Sequence, residues 1–312
     1  MKKKNLAILF LTIIIIVGII FVVKPKGDGV TGNVIKETGE IKVLRMGLIP
    51  ADDAEEMLRD YEPVKQYLSQ ELGIPVEIQV TSDYTAAIEA MRSKHIDMAW
   101  FGPFSYIIAA NVADAEAIVN GVRRSDGKSD YHSIIVTRAD SGINSLADLK
   151  GKSFAFVDPA STSGNLIPRK MLIENGINPD KDFSLSYYAG THNSIEYAIA
   201  NKKVDAGADS DNTYARMADA GEIDPKVNKI IYTSPSIPGS PIAVRGDLSE
   251  EFKQKIKDAL MNMNEQTIHQ VNGWGDIARY QAVSDSDYDI IRETARTLGM
   301  DVTSAEAATT KK

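Results

Sequence analysis

From residue 41 onward this chain alternates short apolar runs with stretches of helical period, and that alternation confines it to an α/β architecture. Residues 43–49, 76–80 and 96–101 are apolar, strand-length and bounded by turn-forming residues. Between them, residues 63–72, ended by Gly73, and residues 84–92 carry amphipathic helical periods. The third predicted strand stops at Gly102-Pro103, where a proline suits the first turn of the next helix. Further strands are predicted over 133–137, 153–157 and 184–188, with a short helix over 146–149 and a longer one over 164–174. Pro168 sits just inside that helix and costs a backbone donor, which is tolerable only near its first turn. Helical patterns over 250–271 and 286–298 close the chain.

An internal repeat gives this alternation a plan. Laid over itself at an offset of 108 residues, the chain matches Lys94-His95-Ile96-Asp97-Met98-Ala99 to Lys202-Lys203-Val204-Asp205-Ala206-Gly207. The helix opened by Asp83-Tyr84 then matches the one opened by Thr191-His192. Each half carries a strand, a polar turn, a helix and another strand, which predicts two similar lobes facing one another. In such lobes ligands gather outside the carboxyl ends of the strands, where helix N-termini converge.

The turn with the most chemistry is Asp158-Pro159-Ala160-Ser161-Thr162-Ser163-Gly164, between the strand over 153–157 and the helix that follows. A strand that ends in hydroxyls and restarts as a helix aims free backbone N–H groups and a positive dipole end at one point. Such a point accepts a phosphate-like anion without any permanent charge. An ordinary Ser/Thr helix cap is the plainer reading of the same residues. Tyr84, the Gly102-Pro103 turn and His192 also fall at strand ends. Tyr84 and Tyr131 each offer one O–H, and His192 offers a ring nitrogen that donates more strongly when protonated. Singly, they read as an interfacial aromatic and a helix-capping imidazole.

Composition narrows the function further. The 312 residues contain no cysteine, which excludes disulfides, thiolate catalysis and Cys-ligated metals. The four histidines lack any His-x-x-x-His spacing, so neither a metal nor another cofactor is expected. Residues 1–40 hold six Lys/Arg and three Asp/Glu, leaving 29 basic against 40 acidic residues and a net charge near −11. Nucleic acid is a poor partner for that surface.

The N-terminus has a separate logic. Three lysines precede residues 5–23, nineteen residues without a charge and dominated by Ile, Leu, Phe and Val. That length crosses a bilayer's hydrocarbon core, and residues 1–23 are read as a transmembrane anchor with the globular part outside the cell membrane. A long cleaved signal peptide, releasing a periplasmic or secreted protein, is the alternative. Residues 24–40, rich in Gly, Lys, Thr and Glu, form a linker that spans at most about 60 Å.

These residues resemble the extracytoplasmic phosphonate, phosphite and phosphate-binding proteins of ATP-binding-cassette importers. The resemblance runs from about Val43 to Gly299. It is carried by Thr81-Ser82-Asp83-Tyr84, by Asp97-Met98-Ala99-Trp100-Phe101-Gly102-Pro103, by Tyr131-His132-Ser133 and, most specifically, by the Asp158–Gly164 turn with Pro168. Ala189-Gly190-Thr191-His192 and Ser234-Pro235-Ser236-Ile237-Pro238-Gly239-Ser240-Pro241 continue it. The resemblance implies a two-lobed periplasmic-binding fold of type II, with the ligand in the cleft between lobes. Residues 41–135 with 240–300 would form lobe 1 and residues 136–239 lobe 2. It implies that Ser161, Thr162 and Ser163 hold the phosphonyl oxygens, that Tyr84, Tyr131 and His192 complete the shell, and that closure presents both lobes to a membrane permease.

Two features bear on the cargo. Members that take aminoalkylphosphonates place acidic residues near the ligand's amine, one of them in the Ile-Pro-x-x-Pro turn; here that turn carries Ser240. The other expected acidic position falls within Asp209-Ser210-Asp211-Asn212. Without a carboxylate pair an ammonium tail lacks compensation in a closed cleft, so a small oxyanion such as phosphite, methylphosphonate or phosphate is expected. Asp211 is a candidate for accepting a protonated ligand oxygen, beside its plainer reading as a solvated loop aspartate. A hydrolase triad of Ser161, His192 and Asp205 is disfavoured, because Ser161 lies outside a Gly-x-Ser-x-Gly elbow. A sensing domain for a related oxyanion shares the same pocket, and catalysis is not expected.

Overall fold

The computed structural model describes residues 41–263, 267–268 and 277–304. The anchor expected over 1–23, the linker over 24–40, His269 and most of the helical pattern beyond Met263 lie outside the described residues. Among the described residues no helix is long and apolar enough to cross a membrane.

Two mixed sheets organise the chain. In the first, β1 (Leu44–Leu48) lies between β2 (Val76–Val80) and β3 (Met98–Trp100), parallel to both. On the other side of β3 come β10 (Pro241–Arg245), β4 (Ala115–Arg123) and β11 (Ile277–Ala282), each antiparallel to its neighbour. In the second sheet β6 (Ser153–Phe156) lies between β7 (Leu185–Tyr188) and β8 (Ala206–Ser210), again parallel to both. Strand β5 (Ser133–Arg138) and then β9 (Asn228–Thr233) extend it in antiparallel fashion. The fold is thus α/β and two-lobed. The chain leaves the first sheet after β4 and returns to it at β10.

The repeat is present in three dimensions. Helix α2 (Tyr84–Arg92) and α5 (His192–Ala200) stand 108 residues apart at both ends, and so do the first residues of α3 (Pro103–Ala113) and α6 (Asp211–Asp219). Asp97 accepts the backbone N–H of Arg45 at 2.9 Å, and Asp205 accepts that of Ser153 at 2.8 Å. Each carboxylate ties its strand to the parallel neighbour. Lys94 and Lys202, the matched residues in the turns before, both adopt left-handed backbone with φ of 60° and 58°.

The helices depart from the sequence reading in their bounds. Helix α1 runs over Ala54–Leu72, starting nine residues earlier than predicted. Asp53 caps it by accepting from Glu56 N–H at 3.0 Å, and Met57, Tyr61, Val64, Leu68 and Leu72 form its buried stripe. Packing of that stripe outweighs the donor lost at Pro63, which lies inside the helix. The helix predicted over 164–174 divides into a π-turn over Thr162–Leu166 and α4 (Ile167–Glu174), with Pro168 in the first turn of α4. The pattern over 250–271 is helical as α7 over Glu250–Met261. A short 3-10 turn over Asp285–Tyr288 leads into α8 (Asp289–Thr297).

The main core fills the space around the first sheet, with Met46, Leu48, Met98, Phe101, Phe104 and Tyr61 fully buried. A second cluster under the second sheet centres on Phe154, Phe156, Met171 and Leu172. Phe183 stacks on Phe154 with ring centroids 4.7 Å apart.

Candidate functional site

The helix N-termini that the repeat makes equivalent meet at one cleft. Tyr84 opens α2 and His192 opens α5; Asp83 and Thr191 cap them, accepting from Ala86 and Ser194 N–H respectively. Gly102 precedes α3, and Ser210 caps α6 by accepting from Thr213 N–H. Tyr84, Gly102, His192 and Ser210 all line the cleft, together with Ser161, Thr162, Ser163 and Tyr131. Converging helix N-termini make the space between them positive without a formal charge.

The Asp158–Gly164 turn is built to hold its hydroxyls inward. Ser161 Oγ accepts Gly164 N–H at 3.0 Å, and Leu166 N–H reaches back to Ser161 O at 3.0 Å, closing the π-turn. That wider turn opens with the amides of Thr162 and Ser163. Gly164 is obligatory: a Cβ there would stand 2.3 Å from Cγ2 of Val157, the last apolar residue before the turn. Asp158 accepts Ala160 N–H at 2.8 Å, and burial pushes its carboxyl up to about 6.

Across the cleft, Gly102 has no side chain to cap α3, and Thr162 does so from the opposite lobe. Its Oγ1 accepts Phe104 N–H at 2.8 Å. A side chain at Gly102 would crowd the same oxygen, since a Cβ would come within 3.3 Å of it. His192 N–H donates to Ala51 O at 2.8 Å, and Arg216 of α6 pairs with buried Asp52 at 3.1 Å, both between lobes.

The two tyrosines are neutral donors. Tyr84 lines the cavity with Ser161, and burial raises its ionisation well above the ordinary phenol value. Tyr131 sits where the two chain passages pair as an antiparallel bridge with Ile237. It lines the cavity with Thr162, Ser163 and Ser240, and burial pushes its hydroxyl up to about 12. His192 is buried and held toward the neutral form, at about 4, by loss of solvent. Its Nδ1 lies 2.5 Å from Asp209 Oδ1.

The structure therefore brings Tyr84, Tyr131, Ser161, Thr162, Ser163 and His192 around one cavity. Asp211 does not line it. Its carboxylate accepts His132 N–H at 2.9 Å while its own N–H donates to His132 O at 3.0 Å; its neighbours Ser210 and Asn212 face the cavity instead. The imagined triad is not assembled, since Asp205 bonds to Ser153 and His192 to Asp209. Sequence reasoning did not reach Trp100, Ser129 and Arg123 as lining residues. The rule of strand carboxyl ends points to Trp100, which closes β3, but Ser129 and Arg123 depend on β4, absent from the sequence reading. Arg123 brings no free charge: it pairs with Asp126 at 2.7 Å and donates to Asp130 O. Among the described residues lining the cavity there is no carboxylate.

Comparisons with known proteins agree with this fold. Residues 46–288 match the family model described as the phosphonate, periplasmic substrate-binding protein of ABC transporters. The chain is 33% identical over 281 residues to the phosphate-import protein PhnD of Mycolicibacterium smegmatis, covering 83% of this chain and 86% of that protein. It is 32% identical over 262 residues to the phosphonates-binding periplasmic protein of Escherichia coli, covering 81% and 76%. A crystal structure of the binding component of an ABC phosphonate transporter from Pseudomonas aeruginosa superposes with a TM-score of 0.77 at 28% identity, covering 83% of this chain and 87% of that one.

Proposed function

Since this chain belongs to the family of periplasmic phosphonate-binding components of ABC transporters, we propose that its cleft captures a small phosphorus oxyanion and delivers it to a membrane permease. It is an extracytoplasmic carrier rather than an enzyme. The observation that supports this reading is the convergence of uncharged donors, from Tyr84, Tyr131, Ser161, Thr162 and Ser163, on a cavity lined by no carboxylate among the described residues. Hydroxyls and amides at helix N-termini solvate an anion by hydrogen bonds alone and release it when the lobes part.

Asn212 and Ser240 at the cavity wall give an ammonium tail nothing to pair with, which favours phosphite, methylphosphonate or phosphate over 2-aminoethylphosphonate. Asp211 enters this reading only by orienting its neighbours. Thr162 bridges the lobes and closes the cleft over the ligand, and that closure is the signal a permease reads. Residues 5–23 serve as the membrane anchor in this reading, on the strength of nineteen uncharged, mostly apolar residues behind three lysines.

The test is calorimetric titration of the purified, ligand-stripped protein with phosphite, methylphosphonate, phosphate, 2-aminoethylphosphonate and sulfate. Tight binding of one phosphorus oxyanion without turnover is expected; no heat from any of them would reduce the Ser-Thr-Ser turn to a helix cap.

A further inference from the structure

His192 is a cleft residue backed by a buried acidic network. Asp209 Oδ1, at the end of β8, lies 2.5 Å from His192 Nδ1 and also accepts Ser210 N–H at 2.6 Å. A backbone N–H only donates, so this oxygen is an acceptor, and it takes the imidazole proton in the same way. The other Asp209 oxygen and one oxygen of Glu196 of α5 are buried without a hydrogen-bond partner, and burial raises both carboxyls, with the neighbouring Asp209 adding to the rise at Glu196. Glu196 in turn accepts Asn228 Nδ2 at 2.7 Å. Two neighbouring buried carboxyls keep a proton, because both cannot ionise. That leaves Oδ1 free to act as the acceptor for Nδ1–H.

The remaining ionisable groups facing His192 keep this arrangement. Asp52 from the loop after β1 and Asp158 from the turn after β6 approach it with negative charge. From α6, Arg216 is committed to Asp52, Glu56 and Glu222, and Tyr214 donates to Asn228 O. Arg138 reaches only the far end of α5 at Ala200 O. Loss of solvent keeps the ring neutral. With Nδ1–H spent on Asp209, the nitrogen left for the cleft, Nε2, is bare.

From this geometry we infer that His192 meets the ligand as an acceptor, with Asp209 as its positioning residue, and that the cleft thereby selects oxyanions bearing an acidic P–OH over isosteric sulfonates that bear none. The inference rests on the carrier reading above and adds the protonation form of the cargo. A hydrogen phosphonate monoanion donates its O–H to Nε2 while its other oxygens take the tyrosine, serine and threonine donors. No proton leaves the complex. A ligand arriving as the dianion is bound together with one proton from solvent, held between Nε2 and a ligand oxygen. A sulfonate sets an oxygen lone pair against the Nε2 lone pair.

Methylphosphonate and methanesulfonate provide the test, being of one shape and, below the second ionisation of methylphosphonate, of one charge. Methylphosphonate is expected to bind the full-length protein at least about tenfold more tightly. Above that ionisation, its binding enthalpy should vary with buffer as uptake of one proton requires. His192→Gln, whose amide turns either way, should bring the two ligands within about threefold of each other. Independently of any ligand, nitrogen-15 spectra of the imidazoles, with His192 assigned by its loss in His192→Gln, should show Nδ1 protonated and Nε2 bare. Equal affinity for the two ligands, no buffer dependence, or a protonated Nε2 would each overturn the inference and leave the carrier reading standing. Failure of the protein to bind methylphosphonate, phosphite or phosphate would refute that reading and this inference with it.

Discussion

Thr162→Val separates a helix cap from a ligand-binding closure. The substitution keeps the shape of the side chain and removes one oxygen, which now accepts Phe104 N–H at 2.8 Å across the cleft. That N–H belongs to the first turn of α3, where Gly102 offers no cap of its own. In the closed protein it would be left buried without a partner, at a cost of about 1–3 kcal/mol. When the lobes part, water reaches the same group and the cost disappears, so the penalty falls on the closed form that holds the ligand. Affinity should therefore drop by about 5- to 150-fold from this bond alone, with a further loss from the missing O–H toward the ligand. Thr162→Ser retains the oxygen and loses a methyl worth about 0.8 kcal/mol, so it should bind within about fourfold of the parent protein. Calorimetry on both variants gives the two affinities, and thermal melts with and without ligand locate the effect: the ligand-bound melt should fall more than the free one. Equal affinities for the Val and Ser variants would refute the trans-lobe cap.

Three further outcomes follow from buried groups. Gly164→Ala drives a methyl to within 2.3 Å of Val157; the turn must shift, and urea unfolding should show a loss of about 1–3 kcal/mol together with weakened oxyanion binding. Arg216→Met leaves Asp52 buried without its ion pair, expected to cost about 3 kcal/mol at pH 7 and less at pH 5, where Asp52 takes a proton; adding Asp52→Asn should restore much of the loss. Asp52 and Asp158 are both pushed up to about 6 by burial from an ordinary 3.8. The folded protein thus keeps protons that the unfolded chain has released. Their contribution to stability is full below about 4 and lost as pH rises through about 6, with a slope approaching 1.4 kcal/mol per pH unit for each group. Urea titrations from pH 4 to 7 should flatten in Asp52→Asn and Asp158→Asn.

Local patterns in the chain were enough to place much of the machinery. Helix α2 and strand β2 stand where periodicity puts them, because each needs only an amphipathic run between a cap and a breaker. The offset of 108 residues foretold that Tyr84 and His192 occupy equivalent helix starts, and the hydroxyl-rich turn singled out in the sequence lines the cavity. Strands β4, β9, β10 and β11 were not legible. Sequences such as Ile277-Ala278-Arg279-Tyr280-Gln281-Ala282 carry no clear alternation, and their strand state is conferred by antiparallel neighbours far away in the chain. Arg123 and Ser129 came into the site with them. Asp211 and Asn212 illustrate the same limit at single-residue scale: one residue of register decides which faces the cavity, and the cap at Ser210 sets that register.

The sequence by itself determined the two-lobed α/β plan, the hydroxyl-rich turn and most of the polar residues that line the cavity, because these depend on neighbours within a few residues. Only the tertiary structure decided that Thr162 caps a helix of the other lobe, that Arg216 pairs with Asp52, and that Asp209 meets Nδ1 of His192 at the cleft wall. Those are contacts between segments remote in the chain, and burial, which fixes where protons reside, exists only once both lobes are packed.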